Sequence, residues 1–176
     1  MLPKVIKSER RYQGRAFNVR VDEVEIRPGQ VVRLDILEHT HAVTLLPLDD
    51  DQNVWFVRQY RLPAQQTLLE LPAGTLNAGE EPALAANREL QEEIGMRAGQ
   101  LEELASFYLA PGYSSELMHV FLAQGLSPSV LAQDEDEIIH VEKVPASQVM
   151  GLVERGELHD AKSLVTLLLA ARRFGW

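Results

Sequence analysis

Residues 74–96 read GTLNAGEEPALAANRELQEEIGM, and this stretch limits the possible folds more than any other. Gly79, Glu80 and Glu81 lead into Pro82. Proline has its φ preset for a helix, and its missing N–H costs nothing in a first turn. Gly95 is a natural terminator. The spacing predicts a helix over about 82–94. Ala83, Ala86, Leu90 and Ile94 recur at intervals of three and four, giving a narrow apolar stripe. Glu89, Glu92 and Glu93 share a neighbouring face. Like charges at that spacing cost roughly 0.2–0.5 kcal/mol per pair, and the negative end of the helix dipole adds a similar penalty. Taken alone, the helix fits either a solvated acidic face or a site for a hard divalent cation. A cation would reverse the sign of the penalty, since Mg²⁺ takes carboxylate oxygens and keeps waters or substrate phosphates in its other positions.

Composition narrows the classes. A chain of 176 residues suits one domain with at most a small appendage. Hydrophobic residues at 45% and charged residues at 24% describe an ordinary soluble globular protein. The absence of cysteine removes disulfides, thiolate metal sites and cysteine nucleophiles, and fits a cytoplasmic location. The N-terminal MLPKVIKSERRYQGR has no apolar core of the signal-peptide kind. The longest apolar runs, such as LVTLLLAA at 164–171, are too short to span a bilayer. A formal net charge of −9 disfavours nonspecific nucleic-acid binding, which needs a basic surface to release counterions.

Periodicity supplies a coarse order of elements. Residues 15–26 and 31–39 alternate apolar and polar, and RPGQ (27–30) between them is a turn signal, so they predict a hairpin. AVTLLPL (42–48) is continuously apolar and suits a buried strand. Further strands are expected at 54–61, 68–74, 101–109, 117–124 and 138–144. Helices are expected at 145–157 and 160–174. The fold class is α+β: a mixed sheet with few helices, one of them central, preceded by an N-terminal antiparallel β-hairpin region. Residues 1–40 are read as that N-terminal β region and 41–176 as the main domain.

The 74–96 stretch matches G-x5-E-x7-R-E-U-x-E-E-x-G-U at every position, with U a bulky apolar residue. Gly74, Glu80, Arg88, Glu89, Leu90, Glu92, Glu93, Gly95 and Met96 occupy the specified places. Seven of these positions demand one residue type, so chance agreement is about one in a hundred million per start. The segment resembles the box of the Nudix hydrolases. That resemblance implies a loop–helix–loop within an α/β/α sandwich and cleavage of nucleoside diphosphates linked to another moiety, with Mg²⁺ or Mn²⁺, two or three ions per site. By the same resemblance Glu89 and Glu93 are the main metal ligands, and Glu92 joins them or stands just behind. Ala73 lends a backbone carbonyl, and Arg88 orients the carboxylates through a forked ion pair. Glu80 holds the loop or reaches a metal through water. Gly74 and Gly95 serve backbone geometry.

Three flanking stretches resemble the ADP-ribose pyrophosphatase branch: VRQYR (57–61) leading through ELPAG (70–74), APGYSSE (110–116) with Pro111 sixteen residues after Gly95, and DEDEIIHV (134–141). The resemblance implies that Arg61 grips a phosphate or the terminal ribose and that Glu116 bonds a ribose hydroxyl. Arg58 has the opposite strand parity and reads as the more structural arginine. Glu135 is the candidate general base and Glu137 a further metal contact, on a loop suited to closing over substrate. In this branch the N-terminal strands are exchanged within a homodimer. Phe17 would then stack on adenine, with Arg33 and Asp35 contacting base or ribose; ordinary strand packing is the competing account of these three. His39, His41, His119, His140 and His159 show no ligand spacing and read as incidental.

The activity implied is hydrolysis of ADP-ribose to AMP and ribose 5-phosphate. The rivals are another nucleoside diphosphate sugar such as GDP-mannose, a noncatalytic nucleotide-sensing domain, and a house-cleaning or decapping enzyme. No G-x-S-x-G elbow, P-loop or G-x-G-x-x-G supports a serine hydrolase, a Walker NTPase or a Rossmann dehydrogenase. No nucleic-acid or membrane partner is expected.

Overall fold

The structure, a computed structural model, describes residues 2–132 and 138–176. In chain order the elements are β1 (Lys4–Gln13), β2 (Phe17–Arg27), β3 (Gln30–His39), β4 (Ala42–Pro47), β5 (Asn53–Arg61), β6 (Gln66–Glu70), β7 (Ala73–Thr75), α1 (Pro82–Glu93), β8 (Met96–Tyr108), β9 (Leu117–Pro128), β10 (Ile139–Pro145), α2 (Ala146–Glu154) and α3 (Ala161–Phe174). This is the mixed α+β class expected of the chain. The strands form three sheets, ordered β1-β2-β3, β10-β5-β6 and β7-β4-β9-β8.

The chain divides into two compact units. The first holds the strands up to His41 together with Phe107–Leu117. Its antiparallel sheet contains the expected β2–β3 hairpin, turned at Gly29 with φ +77°. β1 was not anticipated. Its sequence KVIKSERRYQ carries five charged residues and every position is exposed, so no apolar alternation marks it. Pairing with β2 makes it a strand. Within β2 the most buried side chain is the polar Asp22, which accepts from Ser8 Oγ at 2.6 Å and pairs with Arg20 Nε at 3.2 Å. The segment 113–115 lies against β3: Leu37 N donates to Tyr113 O, and Ser115 N donates to Leu37 O.

The second unit comprises Ala42–Ser106 and Met118–Trp176. Every residue of β4 is buried. This strand pairs in parallel with β9 and antiparallel with β7. Its two faces feed two cores, which explains the unbroken apolar run. Val43 and Leu45 pack with Ala85, Ala86 and Leu90 of α1. Leu46 packs with Phe56, Leu122, and with Leu152 and Leu167 of α2 and α3. Helices on both sides of sheet make the α/β/α sandwich. The single strand expected over 68–74 is two strands. β6 pairs with β5 in one sheet, β7 pairs with β4 in another, and Leu71–Pro72 carries the chain between them. Proline lacks the N–H that would continue a ladder.

Phe56 is fully buried in the core beneath α2 and α3. Phe56→Ala is expected to lower the unfolding free energy by roughly 3–5 kcal/mol, through lost transfer energy and the cavity left behind. Urea denaturation checks this.

Candidate active site

The chain enters the site along β7 and leaves it at Gly95. Pro82 stands at the start of α1, and Ile94 closes the helix with its N–H on Leu90 O. Gly95 follows at φ +67°, the left-handed geometry that glycine adopts without strain. The loop before the helix is held by a reciprocal pair. Asn77 N donates to Glu80 Oε2 at 2.8 Å, and Glu80 N donates to Asn77 O at 3.0 Å. Gly74 has a different function from the backbone freedom expected of it. A Cβ there would lie 2.0–2.2 Å from the carboxylate atoms of Glu89. The missing side chain is the space into which Glu89 fits.

Arg88 organises the carboxylates. Its fork is with Glu80: Nε donates to Oε1 and Nη2 to Oε2, both at 3.0 Å. Nη2 also donates to Thr75 O at 2.9 Å. Nη1 donates to Glu89 Oε1 at 2.6 Å and to Glu92 Oε2 at 2.7 Å. Hydrogen bonding from Arg88 is the main influence holding the Glu80 carboxyl below its usual range, and Glu80 in turn raises the guanidinium's affinity for its proton. Glu93 lies one turn beyond Glu89 and is 3% exposed; its Oε2 accepts from Ala73 N at 3.1 Å. Thus α1 and β7 meet through Glu89 against Gly74 and Glu93 against Ala73.

The donor set fits a hard cation. Glu93 offers a carboxylate beside the peptide group of Ala73, Glu89 and Glu92 each offer one at Arg88 Nη1, and the space at Gly74 admits Glu89 to the strand. Among the described residues no three acidic or histidine side chains converge on one point as they stand; Glu89 and Glu92 both accept from Arg88 Nη1. Glu135 and Glu137 lie outside the described residues.

Arg61 occupies a second cluster in the same unit. Its Nε and Nη2 each donate to Glu70 at 2.8 Å. Glu70 is 1% exposed and also bonds Lys162 Nζ, which donates to Asp160 Oδ1 at 2.9 Å. Burial alone would push the Glu70 carboxyl upward. Arg61 and Lys162 outweigh it and hold the group at about 2. Sequence reasoning missed Glu70 and Lys162 as site neighbours, although Glu70 stands within ELPAG and Lys162 follows the capping Asp160. Arg58 faces elsewhere and pairs across the sheet with Glu142, Nε to Oε2 at 2.5 Å, so the structural account of Arg58 describes it well.

Phe17, Arg33, Asp35, Pro111 and Glu116 all belong to the first unit. The register pairs Phe17 with His39, Val21 with Asp35 and Glu23 with Arg33, so these side chains share one face of the sheet. Pro111 is exposed. His39 Nδ1 lies 3.9 Å from Glu116 Oε1, and the His39 backbone bonds Ser115 Oγ on both sides. His39, read from the sequence as incidental, therefore stands between Phe17 and Glu116. Only pairing across strands and loop could show that.

A loop–helix–loop that buries two glutamates against a glycine-bearing strand, with one arginine among the rest, defines a Nudix-type pyrophosphohydrolase site. The NUDIX domain profile matches residues 38–167, and the chain belongs to the Nudix hydrolase family. It is 39% identical over 164 residues to an ADP-ribose pyrophosphatase of Bacillus subtilis (strain 168), covering 91% of this chain and 88% of that protein. It is 34% identical over 166 residues to a methanol dehydrogenase activator of Bacillus methanolicus, covering 93% and 90%. A crystal structure described as an ADP compounds hydrolase superposes with a TM-score of 0.90 at 29% identity, covering 99% of this chain and 95% of that one.

Glu70 is ionised in the fold at pH values where a free glutamate is protonated. Its stabilising contribution is complete above the ordinary value of 4.5 and is lost as pH falls towards about 2. Across that window wild type should lose on the order of 3 kcal/mol from this group. Glu70→Gln should flatten this part of the acid limb. Stability curves of both proteins between those pH values provide the check.

Proposed function

We propose that this protein hydrolyses the pyrophosphate bond of ADP-ribose, yielding AMP and ribose 5-phosphate. The observation that carries the reading is the packing of Glu89 and Glu93 against Gly74 and Ala73 with Arg88 among the neighbouring carboxylates. The ADP-ribose pyrophosphatase relative supports the choice of substrate. Glu89, Glu92, Glu93 and the Ala73 carbonyl would hold Mg²⁺ or Mn²⁺, which when bound neutralises pyrophosphate charge and makes water a better nucleophile. Arg88 keeps Glu89 and Glu92 aimed, and Glu80 keeps Arg88 in place. Arg61 holds a phosphate or the terminal ribose. Glu116 accepts from a ribose hydroxyl, and Phe17, Arg33 and Asp35 receive the adenosine end, with Pro111 shaping the loop. Glu135 takes the proton of the attacking water, and Glu137 adds a further metal contact.

A panel of nucleoside diphosphate sugars, including GDP-mannose, with product analysis tests the substrate. AMP release from ADP-ribose with Mg²⁺ is the expected result, and no turnover of it with any divalent metal would sink the proposal. The solved structure described as an ADP compounds hydrolase makes a broader nucleotide range the second reading, which the same panel separates. Glu93→Gln keeps an oxygen to accept from Ala73 N, so the fold should survive. Its kcat should fall by more than about a hundredfold. Near-normal turnover would remove Glu93 from the metal site.

We further read residues 1–40 as a dimerisation region and 41–176 as the hydrolase domain. Val5, Ile6, Tyr12, Val31 and Leu34 are each about half exposed and are divided between the two faces of the N-terminal sheet, apolar area that exchange of these strands with a second copy would cover. Sedimentation equilibrium should return twice the 19.8 kDa chain mass; a monomer at micromolar concentration would contradict this.

A further inference from the structure

The segment 70–74 is tied down residue by residue. Leu71 N donates to Ser163 Oγ at 2.7 Å, and Pro72 O accepts from Leu45 N at 2.9 Å. Ala73 N and Gly74 meet Glu93 and Glu89. Glu70 alone is held by two cations. One of them, Arg61, is 37% exposed along its side chain; the other, Lys162, is 11% exposed and comes from the start of α3. A forked arginine would satisfy this carboxylate unaided. A second, nearly buried cation costs desolvation and side-chain entropy, and Asp160 offsets part of that cost.

We infer that Lys162 is a positioning residue for substrate binding, acting through Glu70 on Arg61. The inference rests on the reading of Arg61 as a substrate contact. Arg61 Nη2 and Lys162 Nζ meet the same oxygen, Glu70 Oε2. Lys162 therefore fixes the rotation of the carboxylate, and with it the plane and direction of the guanidinium. Asp160 completes the arrangement from α3. Its Oδ1 accepts from Ser163 N at 3.0 Å as the helix cap and from Lys162 Nζ, so the cap that starts α3 also steadies the lysine.

A double-mutant cycle on ADP-ribose hydrolysis tests this with wild type, Lys162→Met, Arg61→Ala and the double variant, alongside thermal unfolding of each. Lys162→Met is expected to raise KM about tenfold with kcat changed less than about threefold, the pattern of lost uniform binding. Half-saturation by Mg²⁺ should not move. In the Arg61→Ala background the lysine substitution should add nothing to KM. Multiplying KM effects would show that Lys162 acts independently of Arg61 and would overturn the inference. A lowered melting temperature with unchanged KM would do the same. Asp160→Asn retains the cap oxygen but removes the charge beside Lys162. It should raise KM in the same direction by a smaller factor, and it decides the matter if Lys162→Met does not fold, since an unchanged KM there would count against the inference. If wild type hydrolyses no nucleoside diphosphate sugar, the substrate reading fails separately. The lysine's hold is then read by NMR of ¹⁵N-arginine-labelled protein. The Arg61 Nε–H should exchange with solvent faster in Lys162→Met than in wild type, and equal exchange would overturn the inference.

Discussion

One guanidinium makes the acidic end of α1 possible. Arg88 donates to Glu80, Glu89, Glu92 and the Thr75 carbonyl. Each hydrogen bond to a charged partner contributes roughly 1.5–3 kcal/mol, whereas repulsion between glutamates along a helix costs a few tenths. The attractive terms win, so the helix can keep a charge pattern that would otherwise fray it. Without Arg88 the loop 76–81 would lose its anchor at Glu80, and Glu89 would lose the contact that turns it towards Gly74.

That local arrangement depends on a wider one. Glu89 and Glu93 reach the strand only because Leu71–Pro72 moves the chain from one sheet to the next and sets β7 beside α1. The crossing is held from the far side by Ser163 and by the Glu70 cluster. The two cores on either face of β4 keep α1 on one side and α2 and α3 on the other. The site is thus supported by both helix layers, although its carboxylates come from only one.

Much of this was legible in the residues. The Pro82 start, the Gly95 stop and the acidic face of α1 follow from rules of backbone geometry and helix spacing that need no neighbours. The buried run of β4 and the β2–β3 hairpin declared themselves by period. β1 did not, because a charged strand is made by its partner and not by its own pattern. The split of 68–74 was not legible, because only pairing shows that each half joins a different sheet.

The family box lies in one continuous segment, so its order and spacing carried the resemblance that implied the chemistry class, and they marked the charged helix and the residues around it. The role of Gly74 was beyond that reading, because the constraint is a Glu89 carboxylate fifteen positions away in the chain. The same holds for Glu70 with Lys162, brought together across 92 positions, and for His39 between Phe17 and Glu116. Spacing along a helix is a local property of the backbone, and a sequence carries it. Which buried charge meets which cation is decided by the packing of sheets and helices, and so only the folded chain could decide it.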